Sequence, residues 1–403
     1  MKIELLNEAK RIKNTSQDLI DWKDPKPKFS KKVNGILRVC EPTLIGNEKK
    51  YVLDCLKTGW ISSHGEYIKK FESLFAKKIG AKFAVATSSG STAIHLAAHI
   101  VNFKKGDEVI IPTATMVATA NMVKITGATP VFVDIDERTW NIDVNLIEKY
   151  ITKKTKAIMP VHLYGHPAEM NKIKKLAKKY NLLIIEDGAE AHGAVYKNKK
   201  IGSIGDVTIF SFFANKNITS GEGGMLVTNN KKIYELALNV RNQSFSSKRH
   251  FWHKRIGFNY RMTNLQAAIG LAQTENLEKL VKKRINNARI YNKYLKDVDG
   301  ISLPPSTKDI KNVYWMYTIL VEPSFKMSAI KLRFFLAKHG IETRSFFIPL
   351  HLQPIYYKKS YSNKFPVSEK IFKKGFYLPS SSHLSEKDIK YIVKIIKLAK
   401  SQK

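Results

Sequence analysis

The sequence predicts an α/β protein built on a largely parallel β-sheet. From about residue 36 to about residue 265, short apolar runs alternate with amphipathic segments, as expected for strands connected by helices. Several of these runs are continuously apolar, which is typical of strands buried on both faces. The chain has 403 residues, 43% of them apolar, so it is long enough for two or three domains with sizeable cores.

Seven strands are predicted in the first part of this region. They are the runs KFAVAT, DEVIIP, TPVFVDI, KAIMPVHLYG, LLIIED, DVTIFSF and GGMLVT. The segment EYIKKFESLFAKKIG precedes the first strand and places Tyr67, Phe71, Leu74, Phe75 and Ile79 at helical spacing. This spacing predicts a helix with one apolar face.

The pattern changes beyond about residue 265. The segment NLQAAIGLAQTENLEKLVKKRINNARIYNKYLKDV predicts one long helix or two joined helices. After it, YWMYTILV predicts a strand, SAIKLRFFLAKHGI predicts a helix, and the Lys-rich C-terminus predicts a final helix. These elements indicate a smaller α+β region at the end of the chain.

The N-terminal part differs from the rest. It is polar and contains prolines, as linkers do, although IELLNEAKRI favours a short helix. We therefore expect an N-terminal extension of unknown role at 1–35, a large domain at 36–280 and a small C-terminal domain at 281–403.

The formal net charge of +35 is the strongest compositional signal. Clustered lysines and arginines bind nucleic acid, whereas a Lys-rich chain also carries solvated lysines on its helix faces. The lysines here are spread along the whole chain, and no recognisable nucleic-acid motif accompanies them. We therefore expect no nucleic-acid partner, although a positive field would attract a small phosphorylated substrate.

Compartment and metal content are also predicted from composition. No run of about 18 apolar residues occurs, and the charged N-terminus lacks an apolar signal core. We expect a cytoplasmic protein without membrane insertion. The two cysteines, Cys40 and Cys55, fit a reducing compartment and form no metal-ligand cluster, so no metal site is expected.

The stretch ATSSGSTAIHLAAHI joins a strand that ends near Thr87 to a helix that begins near Ser91. Small residues allow the backbone to approach a ligand, and free N–H groups at a helix start favour an anion. Gly90, Ser91 and Thr92 would therefore suit a phosphate. An ordinary turn with a Ser/Thr cap explains the same residues, so this stretch alone does not distinguish a phosphate site from a capped turn.

The stretch LLIIEDGAEAHGA places Asp187 at the end of a buried strand. Ligands bind at the carboxyl ends of strands in open α/β sheets, and a carboxylate there would stabilise a cationic ring nitrogen. The alternative for Asp187 is a helix N-cap. His192 either orients a neighbouring group or is a satisfied core histidine, which is the more usual role.

The stretch SFFANKNITSGEGGM places Lys216 between an apolar strand and a turn with three glycines. A lysine forms an imine with an aldehyde when burial or neighbouring groups keep part of it unprotonated. The alternative is a solvated loop lysine. Flexible GEGG and the polar residues Ser211, Asn215 and Thr219 favour the first interpretation.

Together these three stretches predict a pyridoxal phosphate site. That cofactor needs an anion cradle for its phosphate, a carboxylate for its pyridinium nitrogen and a lysine for its aldehyde. The phosphate turn, Asp187 and, about thirty residues later, Lys216 each lie near the end of a strand. A sheet brings such positions to one edge.

From about Arg38 to the C-terminus, the sequence resembles the pyridoxal-phosphate-dependent sugar aminotransferases of the DegT/DnrJ/EryC1/StrS type. Nine blocks in the same order carry the resemblance: EPTLIGNEKKYVLDCLKTGWISSHGEYIKKFE, SSGSTAIHLA, IPTATMVATANMV, PVFVDIDERTWNID, VHLYGHPAEM, EDGAEAHGA, SFFANKNITSGEGGM, IGFNYRMTNLQAAIGLAQ and LPSSSHLS. The resemblance implies the aspartate-aminotransferase-like fold of fold type I enzymes. That fold has a large domain with a mixed, mostly parallel seven-stranded sheet and a smaller C-terminal α+β domain.

The resemblance also implies roles for individual residues. Lys216 would bond the cofactor aldehyde and shuttle the proton, and Asp187 would hold the pyridinium. Glu190, where many relatives have Gln or His, would lie near the ring hydroxyl. The phosphate would be bound by Gly90, Ser91 and Ser211, and by Asn259 of the neighbouring subunit. The implied assembly is therefore a homodimer with an active site shared between subunits.

Some positions depart from the family pattern. Met116 stands where many relatives stack an aromatic residue on the cofactor, and a thioether still covers a ring face. Ser91 replaces the usual Thr and keeps the hydroxyl. The blocks that the family places near the sugar or nucleotide contain Trp60, Ser62, Arg344 and His351. The first 35 or so residues match nothing in the family.

The reaction implied is transfer of an amino group from glutamate to C4 of a nucleotide-linked 4-keto-6-deoxyhexose. The stretches FWH, NVYWMYTILV and GIETRSFFIPLHLQPIY most resemble family members that aminate GDP-4-keto-6-deoxy-D-mannose.

Four alternatives stay open: a UDP- or dTDP-linked substrate, amination at C3, a sugar dehydratase, and a basic nucleic-acid-binding or regulatory protein with this fold. Related dehydratases carry His at the lysine position, so Lys216 argues against that activity. The presence of Lys216, Asp187 and the phosphate turn in one chain argues against the nucleic-acid-binding or regulatory protein.

Overall fold

The computed structural model describes residues 24–30, 35–249 and 251–402. The short helix predicted in IELLNEAKRI lies outside the described residues. Within them, the α-helices are α1 Glu48–Thr58, α2 Glu66–Ile79, α3 Gly90–Ile100, α4 Ala118–Ile125, α5 Val144–Ile147, α6 Met170–Tyr180, α7 Lys231–Arg241, α8 Asn264–Glu275, α9 Leu277–Leu295, α10 Ala329–Lys338, α11 Pro366–Lys374 and α12 Glu386–Ser401.

Strands separate these helices along most of the chain. They are β1 Phe83–Thr87, β2 Glu108–Pro112, β3 Thr129–Val133, β4 Thr155–Ile158, β5 Leu183–Asp187, β6 Val195–Tyr196, β7 Lys199–Lys200, β8 Val207–Ser211, β9 Gly224–Thr228, β10 Ile301–Ser302, β11 Ile310–Lys311, β12 Tyr317–Val321, β13 Arg344–Ser345 and β14 Gly375–Leu378.

The main sheet has seven strands in the order β1-β9-β8-β5-β4-β2-β3. β9 runs antiparallel to both of its neighbours, and the other pairs are parallel. All seven strands predicted from the apolar runs are present. The mixed, mostly parallel sheet that the family resemblance implied is therefore confirmed.

Alternate residues of each strand pack into two cores, one on each face of the sheet. Ile110 belongs to one core, and its neighbours Val109 and Ile111 belong to the other. Phe71 and Phe75 of α2 are fully buried in the first core. The predicted apolar face of this helix is confirmed, and each fully buried Phe contributes roughly 1.5–3 kcal/mol of transfer free energy.

The C-terminal region has its own antiparallel sheet, in the order β10-β12-β14-β13. A separate hydrophobic core joins this sheet to α9, α10 and α12. The predicted strand in YWMYTILV is β12, and the predicted helix in SAIKLRFFLAKHGI is α10. The segment predicted as one or two helices is two helices, α8 and α9, which join at Asn276.

Residues 24–30 and 35–39, which together we call the N-terminal strap, pack against this C-terminal region. The N–H of Lys28 donates to the carbonyl of Ala337 at 2.8 Å, and the N–H of Leu37 donates to that of Gly340 at 2.8 Å. The described part of the expected N-terminal extension is therefore attached to the folded protein.

The sheet topology positions the site. β1, β8 and β5 are parallel to one another, because β9 lies antiparallel between the first two. Their carboxyl ends carry Thr87, Ser211 and Asp187. All three ends therefore meet at one edge of the sheet, where α/β proteins bind ligands.

Candidate active site

A cavity of about 330 Å³ lies at this edge of the sheet. Its walls include seven residues predicted to bind the cofactor: Gly90, Ser91, Met116, Asp187, Glu190, Ser211 and Lys216. The structure thus brings together residues that are spread over more than a hundred positions of the sequence.

The start of α3 forms one wall of the cavity. Ser89 caps the helix: its hydroxyl accepts the N–H of Thr92 at 3.2 Å, and the Thr92 hydroxyl accepts the N–H of Ser89 at 3.0 Å. Thr92, proposed from sequence as a phosphate contact, is engaged in this cap and does not line the cavity. A Cβ on Gly90 would lie 2.8 Å from Ser211 Cβ, so glycine permits the close approach of β8.

Asp187 is buried at the end of β5 with both carboxylate oxygens engaged. The Thr119 hydroxyl donates to Oδ2 at 2.7 Å, and the N–H of Ala189 donates to Oδ1 at 3.1 Å. Burial raises the pKa of Asp187, and the Thr119 hydrogen bond partly opposes this rise. In the described residues that directly follow Asp187 no helix begins, so Asp187 is not a helix N-cap.

Lys216 reaches the cavity from the loop after β8. Its side chain is partly accessible from the cavity, but protein encloses the amine, and burial lowers its pKa. The charges of Glu190 and Asp187 oppose this effect. Lys216 is therefore a pocket lysine and not a solvated loop lysine.

Glu190 adds a second buried carboxyl group. It is 3% exposed, and its Oε2 accepts the N–H of Tyr164 at 2.6 Å. Burial raises its pKa to about 7, against the opposing charge of Lys216. The carboxyl group of Glu190 therefore titrates near neutral pH in the cofactor-free protein.

His192 lies behind the cavity and does not line it. Its ring centroid is 5.2 Å from that of Phe210 and 5.3 Å from that of Phe212. Burial lowers its pKa to about 3, so the imidazole is neutral at physiological pH. His192 is therefore a buried core histidine, but it is not the satisfied one that was expected, because neither ring nitrogen has a hydrogen-bond partner among the described residues.

This set of groups fits pyridoxal phosphate. The capped start of α3 suits a phosphate, and the buried Asp187, whose ionised form is disfavoured by burial, suits a cationic ring nitrogen. The buried Asn215 Oδ1 in the cavity wall has no hydrogen-bond partner among the residues described. Lys216 supplies the amine that an aldehyde requires.

Comparison with known proteins agrees with this geometry. Residues 42–397 match the DegT/DnrJ/EryC1/StrS aminotransferase family. The chain belongs to this family. Spr1654 of Streptococcus pneumoniae, solved in its PLP form, has a TM-score of 0.83 at 26% identity over 91% of this chain and 99% of that chain. This DegT/DnrJ/EryC1/StrS protein is thus a pyridoxal-phosphate-dependent sugar aminotransferase, and its predicted fold type and cofactor are confirmed.

Two further relatives cover nearly the whole family domain. A GDP-perosamine synthase from Escherichia coli O157:H7 is 46% identical over 358 residues, 89% of this chain and 97% of that protein. PseC of Helicobacter pylori, an aminotransferase involved in the biosynthesis of pseudoaminic acid, has a TM-score of 0.86 at 29% identity over 90% of this chain and 99% of that chain. Across the described residues, no helix of this aminotransferase combines the length and the apolar character needed to cross a membrane.

Five residues predicted from the family resemblance do not line the cavity of a single chain. They are Trp60, Ser62, Asn259, Arg344 and His351. Asn259 is exposed and accepts a hydrogen bond from Arg261 Nε at 3.0 Å. Trp60 and Ser62 are also exposed. The predicted roles of these three residues stay predictions.

Arg344 and His351 are held elsewhere in the C-terminal region. Arg344 pairs with Glu342 at 2.8 Å and lies opposite Tyr377, which does line the cavity. His351 is 1% exposed, and its Nδ1 lies 2.7 Å from the Thr113 hydroxyl oxygen. Neither side chain reaches the cavity, so their predicted substrate contacts stay predictions.

The cavity residues that were not singled out from the sequence include Thr119, Trp315, Phe347 and Tyr377. A signal for Thr119 was present, because it lies one helical turn beyond Thr115 in the IPTATMVATANMV block. The other three come from the C-terminal region, and no local spacing links them to Lys216.

Proposed function

We propose that this aminotransferase converts GDP-4-keto-6-deoxy-D-mannose to GDP-perosamine with glutamate as the amino donor. The convergence of Lys216, Asp187 and the start of α3 in one enclosed cavity carries the chemistry. The identity of 46% to a GDP-perosamine synthase, over 89% of the chain, supports the choice of sugar and nucleotide.

In this reaction the amino group of glutamate replaces the C4 oxygen of the sugar. The α-carbon of glutamate loses a hydrogen and becomes a ketone, and the sugar C4 gains a hydrogen. Bound pyridoxal phosphate supplies an aldehyde that exchanges amines and a ring that accepts electrons.

Lys216 is the acid–base group for both proton transfers. Its Nζ takes the proton from the α-carbon of glutamate and later delivers a proton to C4 of the sugar. The enclosure that lowers the pKa of Lys216 favours the base form of its amine.

Asp187 holds the charge of the ring nitrogen. Thr119 and the N–H of Ala189 fix both oxygens of its carboxylate, so the charge has a defined position. The start of α3 and Ser211 bind the phosphate, because backbone N–H groups and hydroxyls there donate to an anion.

The proposed assembly is a homodimer in which Asn259 enters the site of the neighbouring subunit. Leu53, Leu56, Trp60 and Ile61, on α1 and just after it, are between 46% and 58% exposed. Contiguous apolar side chains of this kind are typical of protein interfaces. Met116, which lines the cavity, is also 51% exposed.

We keep the predicted division into 36–280 and 281–403, supported by the separate C-terminal core. We also propose a cytoplasmic location, supported by the free thiols of Cys40 and Cys55.

The test is incubation of the protein with pyridoxal phosphate, glutamate and a panel of nucleotide-linked 4-keto-6-deoxysugars. We expect an amino sugar from the GDP-linked member. Amination only of UDP- or dTDP-linked sugars would contradict the substrate, and a deoxygenated product would contradict the reaction.

The role of Lys216 is tested separately. Lys216→Ala should lower kcat at least about a thousandfold, because it removes the acid–base group. Lys394→Ala, on the exposed face of α12, is the matched control and should leave kcat unchanged. Borohydride reduction of the cofactor-loaded enzyme should label the peptide that contains Lys216, and labelling of another peptide would contradict this assignment.

A further inference from the structure

Trp315 contacts both the amine of Lys216 and the peptide group that precedes Lys216. Its ring centroid lies 3.6 Å from Lys216 Nζ, and the indole Nε1–H donates to the carbonyl of Asn215 at 2.8 Å. Trp315 is 3% exposed. One buried side chain therefore contacts both the reacting amine and the peptide group that precedes it.

The amine of Lys216 lies over the Trp315 ring and forms no ion pair with a carboxylate of the described residues. Glu190 and Asp187 act on Lys216 through their charges, but no carboxylate oxygen of the described residues lies within 4.0 Å of its Nζ. An aromatic face attracts an ammonium group less strongly than a close carboxylate does. The ring therefore stabilises the charged amine, but less strongly than a close carboxylate would.

The orientation of Trp315 is fixed from its other contacts. Its ring stacks on Tyr164 with centroids 6.1 Å apart, and on Phe347 with centroids 6.5 Å apart. Arg284 Nη1 donates to the Trp315 carbonyl at 2.8 Å. The indole is thus held by neighbours from both halves of the chain.

The loop that carries Lys216 is also hydrogen-bonded to Arg284, the residue that binds the Trp315 carbonyl, and to Cys40. Arg284 Nη2 donates to the Lys216 carbonyl at 3.3 Å, and the Cys40 thiol donates to the Asn215 carbonyl at 3.0 Å. The Asn215 carbonyl therefore accepts from both Cys40 and Trp315. Loss of the indole N–H removes one of these two donors.

We propose that Trp315 is a positioning residue for the reacting amine: its ring face holds the protonated amine of Lys216, and its indole N–H fixes the loop that carries it. The inference rests on the proposed role of Lys216 as that amine. It assigns the C-terminal region a direct part in the proton-transfer step.

Two variants separate the contacts. Trp315→Phe keeps an aromatic face and loses the indole donor, whereas Trp315→Leu loses both. The readout is the rate at which an amine-reactive acylating reagent modifies Lys216 in the cofactor-free protein, followed over pH by peptide mass spectrometry. The position of the pH profile reports the protonation of the Lys216 amine. The plateau of the profile reports how readily the reagent reaches that amine.

The ring stabilises the ammonium form, so its loss should favour the free amine. We expect Trp315→Leu to shift the profile to lower pH and to raise the modified fraction at limiting reagent up to about tenfold on the rising limb. Trp315→Phe should shift it less. Exposed Lys197, which lies 5.3 Å from the Tyr196 ring centroid, is the internal control and should not change.

Kinetics give the second readout. Both variants should lower kcat more than they raise the KM for the sugar, because proton transfer needs the positioned amine. An unchanged pH profile for Lys216 in Trp315→Leu would overturn the inference, and so would a profile shifted to higher pH.

Failure of the proposed function is distinguishable from these outcomes. If borohydride labels a peptide other than the one with Lys216 in the unsubstituted enzyme, Lys216 is not the reacting amine. If Lys216 is labelled in all three proteins and the profiles coincide, only the role of Trp315 is wrong.

Discussion

At the residue scale, the cavity encloses three groups that are ordinarily charged at neutral pH. Burial raises the pKa of Asp187 and of Glu190 and lowers that of Lys216. Each shift favours the neutral form, because protein replaces water around the group. A bound cationic ring nitrogen would restore the charge of Asp187, so the site is electrostatically prepared for its cofactor.

Glu190 predicts a pH dependence of stability in the cofactor-free protein. Its pKa of about 7 in the folded state lies above the ordinary value of 4.5. Between these values the folded state binds a proton that the unfolded state has lost, so this contribution is full below pH 4.5 and is lost as pH rises through 7. Glu190→Gln keeps an acceptor for the Tyr164 N–H and removes the titration.

The measurement is urea unfolding of the cofactor-free protein from pH 4.5 to 7. Relative to Glu190→Gln, the unsubstituted protein should lose about 1–3 kcal/mol over this range. Glu235→Gln, at a carboxylate that is 60% exposed, should follow the unsubstituted protein. Parallel curves for Glu190→Gln and the unsubstituted protein would show that Glu190 does not titrate in this range.

At the element scale, the site depends on where strands end and where one helix begins. β1, β8 and β5 end at the same edge, and α3 begins there with a capping box between Ser89 and Thr92. A cap of this kind contributes about 1 kcal/mol, and it leaves the remaining N–H groups of the first turn facing the cavity edge. The same short segment therefore stabilises the helix and presents it to an anion.

The N-terminal strap is the element that the family comparison does not cover, because the match begins at residue 42. The Asp24 carboxylate pairs with Arg333, whose side chain is 1% exposed. Asp24→Asn removes the negative charge that faces this buried guanidinium. We expect a loss of about 1–3 kcal/mol in the free energy of unfolding, toward the low end since Asp24 is 45% exposed.

Thermal and urea unfolding measure this effect. Asp297→Asn, at an exposed carboxylate between α9 and β10, is the matched control and should change stability by less than about 0.5 kcal/mol. If Asp24→Asn behaves like the control, the strap does not stabilise the C-terminal region through this pair.

At the scale of the whole molecule, the proposed site is shared between two subunits. Gly90, Asp187 and Lys216 line the cavity, whereas Asn259 is exposed outside it. The net charge of +35 also belongs to this scale. It favours the approach of a nucleotide-linked sugar over long range and weakens as salt rises.

Complementation between two inactive variants tests the shared site. Lys216→Ala removes the amine, and Asn259→Asp places a negative charge where the phosphate is expected. If Asn259 acts in the partner's site, a mixed dimer contains one site with both natural residues. Random reassortment of equal amounts should then restore about a quarter of the unsubstituted activity.

The assay is activity after co-expression of the two variants, compared with each variant alone. No recovery, with mixed dimers demonstrated by two affinity tags, would show that Asn259 acts within its own chain or not at all. Recovery would confirm that the dimer is required for catalysis.

The sequence by itself determined the strands and most of the residues that are proposed to bind the cofactor. Continuous apolar runs predicted all seven strands of the main sheet, and side chains at their carboxyl ends, Ser211 and Asp187, had to meet at one edge. Lys216 followed from its position after one of these strands. Such features are local, because the period of the apolar pattern and the turn residues depend on neighbours in the chain.

Only the tertiary structure decided what surrounds these groups. Trp315 and Tyr377 line the cavity of Lys216 although they lie about a hundred residues or more away in the sequence. His351 lies outside the cavity although its block resembles a substrate-binding one. The enclosure that shifts the pKa of Glu190 and Lys216 arises from the same packing. Burial and long-range contact depend on how separate elements pack together, and no local periodicity encodes that arrangement.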